Sequence, residues 1–179
     1  PIRVLLIDDH TLFRSGVRAL LARQADIDVV GEADNGHEGI KLATALRPDV
    51  VLLDLNMPGR SGLEVLTSVR ETHADIRVLI VSMYPEDQYA VRCLRAGAQG
   101  YANKASDPLE LITAVRTLML GRKYLTPEVA QMLAESVSQP TLEAPHAALS
   151  ERELQTLLKI ATGNRLSDIA EELMLSPKT

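Results

Sequence analysis

Short apolar runs alternate with stretches of helical period from the first residues onward. Ile2–Ile7 and Val50–Leu53 are nearly unbroken apolar runs, as expected of strands buried on both faces. Val29–Ala33, Val78–Val81 and Gly100–Ala102 are three further strand candidates. Thr11–Gln24 sets Phe13, Val17, Leu20 and Leu21 on one helical face. His37–Leu46 does the same with Ile40, Ala43 and Leu46, and stops before Pro48. Leu63–Val69 and Glu86–Arg95 are two more helices, the latter ended by Gly97 as its C′ residue. Asp107, Pro108 and Glu110 form a capping-box pattern that opens a fifth helix running to about Leu120. Strands alternating with helices predict βαβ units: an α/β fold with a doubly wound, five-stranded parallel sheet covered on both faces.

After Gly121 the rhythm changes. Thr126-Pro127-Glu128 starts one more helix, to about Val137, and Ser138–Ala148 carries Pro140 and Pro145 with few large apolar residues. A second unit opens with the capping box Ser150-x-x-Glu153 before Leu154, Leu157, Leu158 and Ala161. Gly163 ends that helix, Ser167 caps another, and Ser176-Pro177 starts a third. The expected organisation is a sheet domain over 1–121, a linker with one helix over 122–147, and an incomplete all-α unit over 148–179.

Composition narrows the classes. Hydrophobic residues make up 46% and charged residues 24%, which excludes a disordered chain, and no apolar run approaches a membrane span. The first residues hold Arg3, Asp8 and Asp9 within their apolar stretch, unlike a secretory signal peptide. The single Cys93 reads as a small buried residue, and a reducing, cytoplasmic setting fits. His10, His37, His73 and His146 are scattered and suggest no metal cluster. Net charge is −5 with no basic segment, so charge alone gives no argument for nucleic acid.

The strand ends carry the candidate chemistry. Ligands of a parallel α/β sheet sit outside the carboxyl ends of the strands. The first strand ends in Asp8-Asp9, the third in Asp54 and the fourth in Ser82, and Lys104 follows the fifth. Clustered carboxylates repel and favour a hard cation with oxygen ligands, Mg²⁺ above all. Lys104 offers a point charge suited to a phosphoryl oxygen, and Ser82 a hydroxyl donor. Asp54, on a central strand, is placed to act as the nucleophile of phosphoryl transfer.

Asp8-Asp9, the run Asp54-Leu55-Asn56-Met57-Pro58-Gly59, Ser82, Tyr101 and Lys104 resemble the receiver domain of two-component response regulators. The resemblance implies a flavodoxin-like fold. It implies Mg²⁺ held by Asp9, Asp54 and the backbone carbonyl of Asn56, with Asp8 acting largely through water. It also implies phosphorylation of Asp54 by a histidine kinase or a small phosphodonor, followed by a switch. Ser82 turns toward the phosphoryl group and Tyr101 moves inward. Asn56 and Tyr84 occupy positions that tune dephosphorylation in that family. Ala105 stands where the family often has Pro.

Leu149–Glu153, Ile169–Leu173 and Ser176–Thr179 are similar to the opening of a LuxR-type helix-turn-helix, so the whole resembles a NarL/FixJ-family transcription regulator. Lys178 and Thr179 stand at the start of the recognition helix that would enter the major groove. Residues 149–179 hold four basic and five acidic side chains and only the beginning of that helix. Promoter DNA is therefore expected as a partner of a complete protein, with no specific binding by these 179 residues, and a homodimer is expected on activation. No membrane partner is expected. Two other readings compete. A regulator acting only through protein–protein contact is one. The other is an aspartate-nucleophile phosphatase, which the amide of Asn56, in place of a second acid, disfavours.

Overall fold

The computed structural model describes residues 1–138 together with Glu153, Thr156, Leu157 and Ile160. The chain divides into two compact units, Pro1–Ala134 and Glu135–Thr179. In the first, β1 (Ile2–Ile7), α1 (Thr11–Leu21), β2 (Ile27–Ala33), α2 (Gly36–Leu46), β3 (Val50–Leu53), α3 (Gly62–Thr72), β4 (Arg77–Ser82), α4 (Glu86–Arg95), β5 (Gly100–Asn103) and α5 (Pro108–Met119) follow in strict alternation. A further helix, α6 (Pro127–Ser138), begins after a short connection. The readings of Ser150, Gly163, Ser167, Lys178 and Thr179 fall outside the described residues.

The sheet is wholly parallel, with strand order β2-β1-β3-β4-β5. The order reverses between β1 and β3, which sets a crevice at their carboxyl ends. The central strands are largely apolar because both of their faces are covered. Val4, Leu6, Val50, Leu52, Leu79 and Val81 join Val17 and Leu21 of α1 and Leu111, Val115 and Leu118 of α5 in one core layer. Their alternate neighbours Leu5, Ile7, Val51, Leu53, Val78 and Ile80 are fully buried as well. Each such side chain removed from water contributes about 1.5–3 kcal/mol.

The ends of the elements show how sequence sets length. α4 closes as a Schellman motif: Gly97 has φ +106°, its N–H reaches Leu94 O at 3.2 Å, and Ala98 N–H reaches Cys93 O at 3.0 Å. α1 stops at Leu21, three residues before the end that its periodicity suggests, and β2 starts two residues early at Ile27. No Gly or Pro marks that turn. Pairing of Ile27 with Ile2 and of Asp28 with Arg3 recruits the extra strand residues.

The predicted capping box at α5 forms only in part. Asp107 Oδ1 accepts the Leu109 N–H at 2.9 Å, whereas the Glu110 carboxylate serves Tyr124, whose phenol it pushes upward in pKa after burial has done so. A complete box occurs at α3 instead, between Ser61 and Glu64, at 2.9 and 3.3 Å. Among the described residues, no helix is long and apolar enough to cross a membrane.

Candidate functional site

Five charged or ionisable side chains converge at the carboxyl ends of β1, β3 and β5. Asp8, Asp9 and His10 follow β1, Asp54 follows β3, and Lys104 follows β5. The register of the sheet brings them together. The Asp54 N–H is held by Ile7 O at 2.9 Å, and the Lys104 N–H by Ser82 O at 2.9 Å. The Lys104 ammonium enters between two carboxylates, 2.7 Å from Asp8 Oδ2 and 2.8 Å from Asp54 Oδ2. All three groups are almost completely buried. Phe13 lies beneath the same ammonium, 4.8 Å from nitrogen to ring centre, so the charge also meets an aromatic face.

The electrostatics are unusual for a carboxylate. Burial pushes the Asp54 carboxyl from its ordinary 3.8 up to about 6; Lys104 pulls it back down, and the Asp8 charge adds to the rise. Asp54 Oδ1 also accepts a long hydrogen bond of 3.3 Å from the Asn56 N–H. Asp9 is different, being partly exposed, yet its Oδ1 is buried and accepts no hydrogen bond. A buried acceptor without a donor beside two more carboxylates is a donor set for a hard cation. Asp8, Asp9, His10 and Asp54 each present one atom to a shared centre, all within 4.8 Å of one another.

Ser82 and Tyr101 sit one layer away. Ser82, fully buried, accepts the Tyr84 N–H at 3.2 Å. Tyr101 is 1% exposed, and its hydroxyl donates to Tyr84 O at 2.9 Å. Burial drives its phenol far above the ordinary range, against a hydrogen bond with Ser82. Tyr101 therefore already occupies the inward position. Gly62 closes the floor of the site: a Cβ there would meet Asp54 O at 2.2 Å and Leu55 Cα at 2.6 Å. Only glycine lets α3 start so close to the strand that carries Asp54.

The structure adds two residues to the site that sequence reasoning misses, His10 and Phe13, and gives Tyr84 contacts that its position in the sequence does not show. His10 reads as one of four scattered histidines, yet its Nδ1 lies 3.0–3.6 Å from oxygens of Asp8, Asp9 and Asp54. Its signal is adjacency to Asp8-Asp9 at a helix start. Tyr84 carries its hydroxyl to Asn56 Oδ1 at 3.3 Å and stacks on Tyr89 with ring centres 4.6 Å apart. Phe13 fits the core face of α1 by its period, which gives no sign of its contact with Lys104.

Comparison with known proteins agrees with this geometry. Residues 4–116 match the model of the response regulator receiver domain. The chain is 43% identical to Response regulator GacA of Pseudomonas viridiflava, over 99% of its own length and 84% of that protein. It superposes with a TM-score of 0.70 on a LuxR-family two-component response regulator from Aurantimonas sp. SI85-9A1, at 36% identity, covering 76% of this chain and 98% of that one. RcsB of Salmonella enterica serovar Typhimurium, solved bound to promoter rprA with the phosphomimetic BeF3⁻, aligns at 26% identity and a TM-score of 0.67. That alignment covers 99% of this chain and 86% of RcsB. The chain belongs to the response regulators of two-component systems, of the NarL/FixJ type, and residues 4–116 are its receiver domain.

Proposed function

We propose that the protein is a phosphorylation-controlled transcription regulator in which Asp54 is the phosphoacceptor. The observation that carries this is the buried Asp54 carboxylate, 2.8 Å from Lys104 and next to the orphaned oxygen of Asp9. Asp54 attacks the phosphorus of a histidine kinase phosphohistidine or a small acyl phosphate. A new O–P bond forms as the bond to the leaving group breaks. Lys104 and Ser82 bind the equatorial oxygens of the transferred group, Lys104 by charge and Ser82 by its hydroxyl. Asp8, Asp9, Asp54 and the Asn56 carbonyl would hold Mg²⁺, which when bound would supply charge neutralisation for phosphoryl transfer. We read the chain as a switch rather than a turnover enzyme, since the acceptor is its own side chain.

The switch runs through Ser82 and Tyr101. Tyr101 is already inward, so phosphorylation acts by holding that state rather than creating it. Ser82, drawn toward the phosphoryl group, leaves room that only the inward ring fills.

Residues 1–121 form the receiver, 122–147 the linker, and 148–179 the opening of a LuxR-type helix-turn-helix in which Lys178 and Thr179 begin the recognition helix. Promoter DNA is the target of that unit; RcsB, which this chain resembles, is itself solved bound to a promoter. A cytoplasmic histidine kinase domain is the phosphodonor, and activation yields a homodimer. Incubation with acetyl phosphate and Mg²⁺, followed by intact-mass measurement, tests the reading. One base-labile phosphoryl group is expected on the wild type and none on Asp54→Asn. Equal labelling of both would overturn it.

A further inference from the structure

The cation site holds a nitrogen that an all-oxygen Mg²⁺ site does not need. We propose that His10 is a metal ligand through Nδ1, and that it biases this site toward transition-metal divalent ions. The inference rests on the reading of Asp8, Asp9 and Asp54 as a cation site and deepens it.

The distances support one shared ion. His10 Nδ1 lies 3.2 Å from Asp8 Oδ1, 3.0 Å from Asp9 Oδ1 and 3.6 Å from Asp54 Oδ2. Ligands about 2.1 Å from a metal are separated by roughly 3.0 Å at octahedral right angles and roughly 3.4 Å at tetrahedral angles. The nitrogen therefore stands where a neighbouring ligand of the same ion belongs. The Asp9 oxygen closest to it is the buried one that accepts no hydrogen bond. That atom and the imidazole nitrogen lie 3.0 Å apart, an ion-pair contact when the ring carries both protons and the spacing of two ligands of one ion when Nδ1 is bare.

The backbone fixes this placement. His10 is the N-cap of α1, but its side chain makes no capping bond. Its N–H is tied to Asp8 Oδ1 at 2.9 Å, which turns the chain back over the carboxylates. The Lys104 ammonium, 3.4 Å from Nδ1, sits inside the same constellation. Ligation uses the Nδ1 lone pair, with the ring proton on Nε2, so no proton leaves the neutral ring. The ring is 55% exposed, so its loss removes no core packing.

Chemistry then separates the ions. Mg²⁺ prefers oxygen and keeps its waters, whereas imidazole adds most to Co²⁺, Ni²⁺ and Zn²⁺. His10 should matter greatly to the second group and little to the first.

Isothermal titration of the full chain with CoCl₂ and, separately, with MgCl₂ tests this on wild type and His10→Asn. His10→Asn should lower Co²⁺ affinity by about tenfold or more while moving Mg²⁺ affinity by less than about threefold. The visible d–d spectrum of bound Co²⁺ should change with it. Mg²⁺ should displace the Co²⁺ of the wild type, which separates this site from His37, His73 and His146. Thermal unfolding without metal checks that His10→Asn is folded. Unchanged Co²⁺ affinity, an equal loss for both ions, or Co²⁺ that Mg²⁺ cannot displace would overturn the assignment. If Mg²⁺ binds while His10 proves indifferent, only this inference fails. If neither ion binds the wild type, the cation-site reading falls first and carries this one with it.

Discussion

Replacing Asp54 by Asn should make the unphosphorylated protein more stable above pH 7, although it destroys the phosphoacceptor. The raised folded-state pKa, about 6 against 3.8, means that the fold disfavours the ionised carboxylate. A shift of about two units corresponds to about 3 kcal/mol. The sign follows from proton counts. Between pH 4 and 6 the folded state keeps a proton that the unfolded chain has lost. The penalty is therefore complete above the folded pKa and fades as pH falls toward the unfolded one. Wild-type stability should gain about 1–2 kcal/mol from this group between pH 8 and pH 5. The amide carries no charge at either pH, and Lys104 keeps Asp8 as a partner at 2.7 Å. The Asp54→Asn variant should exceed the wild type by about 1–3 kcal/mol at pH 8, with the difference shrinking by about half at pH 5. Urea unfolding of both proteins at pH 5, 6, 7 and 8, in EDTA, measures this. An Asp54→Asn variant less stable than the wild type at pH 8, or a difference flat with pH, would refute the reasoning.

Three further outcomes are expected. Millimolar Mg²⁺ should raise the thermal midpoint of the wild type by mass action, and Asp9→Ala should abolish the rise, as read by calorimetry with and without the ion. Gly62→Ala should cost about 3 kcal/mol or more in urea unfolding, because its Cβ would press on Asp54 O and Leu55 Cα, which are backbone atoms that cannot step aside. Tyr84→Ala removes the hydroxyl that reaches Asn56 and the ring stacked on Tyr89, and should speed loss of the phosphoryl group several-fold by admitting water beside Asp54; intact mass against time after donor removal measures it.

The fold is legible because its strands declare themselves. Val50–Leu53 has no polar residue, and only a strand covered on both faces tolerates that in so short a run. Once the alternation is seen, the carboxyl edge of the sheet follows, and Asp8, Asp9, Asp54, Ser82 and Lys104 fall on it without further information. What stays hidden depends on contacts distant in sequence. The early end of α1 carries no Gly or Pro and is set by pairing of Ile27 with Ile2. Glu110 looks like half of a capping box because its partner Tyr124 lies on a later segment. His10 reads as one of four scattered histidines, because adjacency to Asp8-Asp9 alone does not show its ring folded back over Asp9 and Asp54. Tyr84 reaches Asn56 across 28 residues, beyond any local pattern.

The most direct measurement of the central claim is the location of the phosphoryl group. The wild-type chain is treated with acetyl phosphate and Mg²⁺ and then reduced with borohydride, which converts an aspartyl-phosphate to homoserine. Peptide mass spectrometry then reads the position. Homoserine at position 54, lost when Mg²⁺ is withheld, is the expected result. Conversion at Asp8, Asp9 or any other acid with Asp54 intact would contradict the assignment of the phosphoacceptor.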